Sequence, residues 1–316
     1  MISDKQTNLV YLAEGLQHYM PAYMKILDSA LSMRVHTSTL PRTGSKKHIW
    51  ARDYMPIQLE KNKFLLYRYA PDYLRGGFED FIPDYPSICK DLQLDCVTTD
   101  IIMDGGNVVK CGDKVIMTDK IIKENPYRLY RDMLRELENH FQAQIVLIPW
   151  DRYEKYGHAD GMVRWIEGDR ILLNNYADFD PDLRKELRKE LSRHFTVEEL
   201  KYGTNKHAKV SWAYINFLQT ENCIFVPGLG IEEDVMAREQ IQKLYPNYKV
   251  ITIPDCLDIV RNGGALNCIS WNILAVVPEW PKEEARNHGR RTDNKDRESQ
   301  AMPCGIQRSR GRFRER

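Results

Sequence analysis

The chain has 316 residues, with 46 Lys and Arg against 45 Asp and Glu, 42% hydrophobic residues and 29% charged ones. That length and apolar fraction can bury a substantial core, which excludes wholesale disorder, collagen and coiled coil. No run of 18 apolar residues is present, and the start MISDKQTNLVYLAEG lacks the basic-then-apolar layout of a signal peptide, so a soluble cytoplasmic protein with no membrane partner is expected.

In chain order, β-type runs occupy residues 63–69, 96–103, 107–117, 145–149, 161–166, 170–174, 210–218, 223–227, 249–253 and 268–277. Helical patterns lie between several of them. Residues 127–142 set Leu129, Met133, Leu134, Leu137 and Phe141 on one face. Asp180-Pro181, followed by Leu183, Leu187 and Leu191, places an N-cap and a first-turn proline where a helix starts. Residues 231–244 form a third helix that ends before Pro246. Alternating strands and helices predict an α/β class. No Gly/Pro/Ser-rich linker interrupts residues 1–280, which predicts a single domain there. Strand pairs recur with helices about every 50 residues, a hint of repeated modules.

Charge divides the chain unevenly. Residues 281–316 carry 11 Lys/Arg and 6 Asp/Glu, leaving 35 against 39 in residues 1–280. The basic segment has almost no apolar residues and predicts a disordered tail. The mildly acidic body suits a cationic substrate and argues against nucleic acid as the main partner. Seven scattered cysteines with no C-x-x-C pair suggest neither a disulfide framework nor a zinc ribbon. No two histidines have zinc-type spacing, and no G-x-G-x-x-G or Walker A segment occurs, so neither a metal nor a nucleotide cofactor is expected.

Four segments put reactive groups at strand ends or Gly-rich turns: His48-Ile49-Trp50-Ala51-Arg52-Asp53, Met103-Asp104-Gly105-Gly106-Asn107, Gly157-His158-Ala159-Asp160-Gly161, and Asn262-Gly263-Gly264-Ala265-Leu266-Asn267-Cys268. Cys268 follows a Gly-Gly pair, where the backbone bends sharply and a ligand can approach. On a strand, His158 and Asp160 would share one face. A Cys, a His and an Asp brought together make a nucleophilic constellation. The competing reading is a surface His, a turn Asp and an inert thiol.

W-A-R-D, D-G-G-N, G-H-x-D and G-G-x-x-x-C, in that order, resemble the family of agmatine deiminases and bacterial-type peptidylarginine deiminases, which modify guanidines. The resemblance spans Trp50 to Trp271, and Tyr214-Ile215-Asn216-Phe217 is similar to the family's Y-x-N-F block. It implies a pentein α/β propeller of five ββαβ-like modules around a central site. It implies Cys268 as nucleophile, His158 as general acid/base, and Asp53 and Asp160 as the carboxylates that grip a guanidinium. Asp104 and Asn216 would support the site, with Trp50 and Gly264 beside the substrate. The implied reaction is hydrolytic deimination through a thiouronium, without cofactor, of a small guanidino compound or an arginine-containing peptide. Agmatine to N-carbamoylputrescine, a step toward putrescine, is the first choice and arginine or protein arginine the second. Amidinotransfer and a non-catalytic guanidinium-binding protein remain open, and a homo-oligomer is compatible with all of these.

The sequence departs from the agmatine-specific pattern. Asn267 stands directly before Cys268, where that group carries His, and a Trp-Gly pair is replaced by Tyr69-Ala70-Pro71-Asp72-Tyr73-Leu74-Arg75-Gly76-Gly77. Arg75 could bind a substrate carboxylate at the mouth of the site or be a plain surface arginine. Asp72 or Glu79 would instead suit an amine.

Overall fold

A computed structural model describes residues 1–152 and 154–280; residues 281–316, for which a disordered basic tail is expected, lie outside the described residues. Five three-stranded sheets follow one another along the chain. The first module comprises β1 (Leu9–Ala13), α1 (Met20–Ser32) and β2 (His36–Leu40). The second has β3 (Ile57–Glu60), β4 (Lys63–Arg68), α2 (Tyr85–Asp91) and β5 (Asp95–Ile102). The third has β6 (Val109–Cys111), β7 (Lys114–Thr118), α3 (Tyr130–Phe141) and β8 (Gln144–Ile148). The fourth has β9 (Val163–Glu167), β10 (Arg170–Leu173), α4 (Pro181–Leu191) and β11 (Thr196–Glu199). The fifth has β12 (Leu218–Gln219), β13 (Cys223–Pro227), α5 (Glu233–Leu244) and β14 (Lys249–Ile253). The last strand, β15 (Ser270–Ile273), returns to β1 and supplies the missing strand of the first module.

Every sheet has the same internal order. Its middle strand is antiparallel to one neighbour and parallel to the strand reached through the helix. This is the pentein architecture of repeated ββαβ units. Residues 1–278 form one compact unit. Among the described residues no helix is long and apolar enough to cross a membrane.

Local chemistry explains the elements. Asp180 Oδ1 accepts the Leu183 amide at 3.0 Å and caps α4, with Pro181 at its first position. In α3, Met133, Leu137 and Phe141 are buried, whereas Leu129 is 76% exposed because it precedes the first helical residue. All five residues of β13 are buried, as a strand covered on both faces requires.

Two expected runs fold differently. The single run 107–117 is a hairpin, β6 and β7, turning at Gly112 with φ +70°. The strand expected over 210–218 is mostly helical, Ala208–Ser211 and then Trp212–Ile215, with only Leu218–Gln219 extended. Ala213, Tyr214 and Ile215 are all buried, so this stretch has no solvent face for period-two alternation to report.

Candidate active site

The connections that join successive modules converge on one place. Each follows the third strand of a module and contributes to the same cluster. Asp53 lies between β2 and β3, Asp104 between β5 and β6, and His158 with Asp160 between β8 and β9. Asn216 lies between β11 and β12, and Cys268 between β14 and β15. These six side chains are all buried.

The first two turns need their glycines. A Cβ at Gly105 would stand 2.0 Å from the Arg52 carbonyl oxygen. One at Gly106 would stand 2.7 Å from both Asp53 Oδ1 and His158 Nδ1. The chain therefore passes directly beneath the Asp53–His158 pair, an approach only glycine allows. Asn107 Oδ1 accepts the Thr118 amide at 2.8 Å and the Ala159 amide at 3.3 Å, which fastens this turn to the one bearing His158.

His158 is extended and Ala159–Gly161 is a single 3₁₀ turn, so His158 and Asp160 are not on the strand that their spacing predicts. They still reach the same cavity. His158 lies between two carboxylates: Nε2 is 2.7 Å from Asp104 Oδ2, and Nδ1 is 3.6 Å from Asp53 Oδ1. Tyr73 Oη donates to the same Asp104 oxygen at 3.2 Å.

The Cys268 turn is held from below by Asn216. Its Oδ1 accepts the amides of Ala265 and Cys268, each at 3.2 Å, and its carbonyl accepts the Asn267 amide at 3.0 Å. Asn216 thus fixes the backbone that presents the thiol. Cys268 Sγ lies 3.8 Å from Asp160 Oδ2, an oxygen that also accepts Asn267 Nδ2 at 2.6 Å. Asn267 Oδ1 in turn accepts from Arg52 Nη2 at 3.1 Å. Gly264 is needed here too, since a Cβ would lie 2.2 Å from the Trp50 ring and 2.9 Å from Cys268 Cβ.

Electrostatics set the resting state. Burial alone would favour a neutral His158. The Asp53 carboxylate and the Asp104 hydrogen bond outweigh it and push the imidazole up to about 10. Burial raises the Asp53 carboxyl, with His158 pulling the other way and Asp104 and Asp160 adding to the rise. The Cys268 thiol is pushed well above its ordinary value by burial, then by the Asp160 and Asp53 carboxylates. The surroundings therefore favour the protonated imidazole and the neutral thiol. Asp53 Oδ1, Asp104 Oδ1 and Asp160 Oδ1 are buried with no hydrogen-bond partner, three acceptors that call for a donor-rich cation.

The cavity has two lobes that share Tyr156, His158, Gly263 and Cys268. The larger, about 360 Å³, includes Asp160 with Met162, Phe179 and Trp212, and has Asp151 and Glu154 in its wall. The smaller, about 210 Å³, includes Asp53 with Trp50, Tyr69 and Tyr73, and has Lys46 and Lys155 in its wall. Buried Lys120 braces the region. Its Nζ pairs with Asp72 at 3.2 Å and Glu124 at 3.3 Å, donates to the Tyr156 carbonyl at 2.7 Å, and stacks 4.5 Å from the Tyr73 ring centre.

Arg75 is exposed and lines neither lobe, so the structure does not bring it to the cluster. Sequence reasoning passed over Tyr156, Glu154 and Lys120, because a loop Tyr, a loop Glu and a helical Lys carry no motif. Among the described residues, His207, Glu232 and Glu233 are the one group of three or more whose ligand atoms all lie within 4.8 Å of one another, and none of them lines either lobe.

A family model described as Porphyromonas-type peptidyl-arginine deiminase matches residues 2–273. An agmatine deiminase of Pseudomonas aeruginosa is 22% identical over 211 residues, covering 55% of this chain and 57% of that protein. The chain spans little more than half the length of the curated relatives it matches first. Among solved structures, a C. jejuni agmatine deiminase superposes with a TM-score of 0.71 at 16% identity, covering 88% of this chain and 96% of the other. An agmatine deiminase of Enterococcus faecalis gives 0.70 at 17% identity, with the same coverage. At these identities the likeness speaks for the fold.

Proposed function

Because the chain belongs to the Porphyromonas-type peptidyl-arginine deiminase family, within the superfamily of guanidine-modifying penteins, we propose that it hydrolyses a guanidino group to a ureido group and ammonia. The observation that carries this reading is the set of three orphaned carboxylate oxygens around the buried Cys268 and a His158 ring held between Asp104 and Asp53.

A guanidinium is planar and cationic, with donors along its edges. Asp53 and Asp160 hold those donors and fix the plane, leaving the central carbon open to Cys268. The bound cation also offsets the two carboxylates that hold the thiol protonated, so the thiol gives its proton up to solvent as substrate binds and the thiolate forms with substrate in place. Sulfur attacks the central carbon, and the proton on His158 passes to the departing nitrogen. Neutral His158 then takes one proton from the water that attacks the thiouronium, the carbon–sulfur bond breaks to return the Cys268 sulfur as thiolate, and the second proton leaves with the ammonia as ammonium. Acid–base help of this kind is worth about 10²–10⁴ in rate.

The preferred substrate is agmatine. Its amine would meet Asp151 and Glu154 in the larger lobe, whose wall also carries Lys209, and Arg75, the candidate carboxylate partner, lines neither lobe. The second reading, arginine or a peptidyl arginine, rests on Lys46 and Lys155 in the smaller lobe, which would suit a carboxylate. Ammonia release from agmatine, free arginine, blocked arginine and a C-terminal arginine peptide separates them. Agmatine should lead by tenfold or more, about the worth of one good polar contact. Release from none of the four would refute the deiminase reading.

A further inference from the structure

The proposed active site is built from the connections between modules. The strands that follow those connections carry a second set of polar residues. Gln58 in β3, Lys110 in β6, Arg164 in β9, Gln219 in β12 and Asn272 in β15 recur 52 to 55 residues apart, one on the corresponding edge strand of each sheet. Gln58, Arg164, Gln219 and Asn272 are buried, and the Lys110 side chain is 9% exposed. Two of the five are cations, three are amides and none is an acid.

Residues 2–7 cross this set. The Ile2 amide donates to the Gln58 carbonyl at 3.3 Å, and Thr7 Oγ1 accepts Asn272 Nδ2 at 2.7 Å. Between them, one Asp4 oxygen lies 2.8 Å from Lys110 Nζ and the other 3.2 Å from Arg164 Nη2. Arg52 Nη1 stands 3.9 Å from Asp4 Oδ1, beyond hydrogen-bond length. One carboxylate thus serves three buried cations. Arg164 Nη2 and Gln219 Nε2 are buried donors without a hydrogen-bond partner among the described residues. The acceptor in the same position, Asp4 Oδ1, has Lys110 Nζ beside it. Burial pushes the Lys110 ammonium below its ordinary value, with Asp4 opposing and Arg52 and Arg164 adding to the fall. Positive charge so enclosed calls for a further anion.

A place for one adjoins the cluster. A cavity of about 20 Å³ is lined by Arg52, Gln58, Gly105, Lys110, Trp271 and Asn272, among others, and by no carboxylate. A void of this size takes one water or one single-atom ion and shuts out sulfate and phosphate. Two cations in its wall favour the ion.

We propose that this cavity binds one halide ion, chloride in ordinary solution, between the Arg52 guanidinium and the Lys110 ammonium. The ion answers the charge that Asp4 leaves uncompensated, and Arg164 keeps Asp4 paired. It also anchors the residue that backs the thiol. The Arg52 amide donates to the Cys268 carbonyl at 3.0 Å, and its Nη2 donates to Asn267 Oδ1 at 3.1 Å. The halide is a structural ligand behind the Cys268 turn, and its binding stands apart from the deiminase reading.

The test uses purified full-length protein dialysed into sodium gluconate. Crystals soaked in sodium bromide should show one anomalous-scattering peak in this cavity, within about 3.5 Å of Lys110 Nζ and of an Arg52 nitrogen. In solution, replacing gluconate by chloride at constant ionic strength should raise the unfolding midpoint along a saturating curve. The rise should reach about 4 °C or more at a hundredfold excess over Kd. Lys110→Gln keeps a donor toward Asp4 and removes the charge, and it should weaken chloride binding at least about tenfold. Arg52→Lys, an independent variant, should weaken it too. A variant that loses stability equally in chloride and gluconate, with the chloride-dependent rise intact, would make its cation merely structural and overturn the proposal. So would a cavity holding water without anomalous signal, or a wild-type midpoint indifferent to chloride. A bromide peak without a saturating chloride response would mark binding at crystal concentration only, and overturns it as well. If neither variant folds, the wild-type peak and curve decide.

Discussion

Asn267 Nδ2 donates to Asp160 Oδ2 at 2.6 Å, on the same oxygen that lies 3.8 Å from Cys268 Sγ. The residue directly before the thiol therefore aims the carboxylate beside it. Its other end is tethered to Arg52 Nη2 at 3.1 Å. Asn267→Ala would free Asp160 to rotate and leave Arg52 short of a partner. The expected result is a fall in kcat of about 10–100-fold, the scale on which small misplacements act. Asn267→Gln should recover less than half of it, because the longer amide misplaces the same donor. Steady-state kinetics on both variants would check this; unchanged kcat in Asn267→Ala would remove Asn267 from the positioning of Asp160.

Gly106→Ala is expected to be more damaging than its single methyl suggests. That methyl would sit 2.7 Å from both Asp53 Oδ1 and His158 Nδ1 and must drive them apart. Overpacking of this kind typically costs about 1–3 kcal/mol. Turnover should fall at least about 100-fold, and the loss should be read alongside urea denaturation. Wild-type turnover in a stable Gly106→Ala protein would mean that the Asp53–His158 spacing does not matter.

The pH profile follows from the two shifted groups. In the proposed reaction Asp53, raised to about 7, acts ionised to hold the cation, and His158, raised to about 10, acts protonated as the acid. Activity (kcat/KM) should rise with pH through about 7, level off, and fall as pH passes about 10. The stability contribution has its own sign. His158 has a folded pKa above its unfolded value near 6.5, so its stabilisation is full below about 6.5 and is lost as pH rises through about 10. A profile flat from pH 6 to pH 8 would show that Asp53 does not titrate as its surroundings require.

Lys120→Met would leave Glu124 and Asp72 without their shared cation inside the protein. Burial, with Asp104 nearby, already raises Glu124 to about 7, and loss of the ammonium would raise it further. Removing one partner from a buried ion pair costs about 3–5 kcal/mol. Urea denaturation at pH 8 should show a loss of this size, and the Tyr73–Tyr156 wall should loosen with it. A shift under about 1 kcal/mol would mean that water already reaches this cluster.

Much of this was legible before the coordinates. Asp53, Asp104, His158, Asn216 and Cys268 stand 51 to 58 residues apart, which is the period of the modules, and each occupies the connection at a module's end. A spacing set by topology can be read without knowing the topology. The first module was not read in advance, because α1 leaves Met20, Met24 and Leu31 exposed and so blurs the apolar stripe that marks a helix. His158 and Asp160 were expected on one strand face and instead meet the cavity from a 3₁₀ turn, where side-chain direction follows no period of two. Asn216, expected to support the site, holds the amides of Ala265 and Cys268 through its side chain, a backbone contact that its sequence position does not encode. Tyr156 packs close to Gly263, and both border the two lobes, a contact between distant loops that no local pattern encodes.

The pairing of β15 with β1 joins residue 9 to residue 273. During synthesis the opening strand must therefore wait, with one edge bare, until nearly all the described chain has emerged. Cys268 lies two residues before that closing strand, so the thiol and the last staple of the ring are delivered together. A nascent or truncated polypeptide lacking them would have neither the third strand of its first sheet nor the Cys268 thiol, which ties the onset of the proposed chemistry to completion of folding.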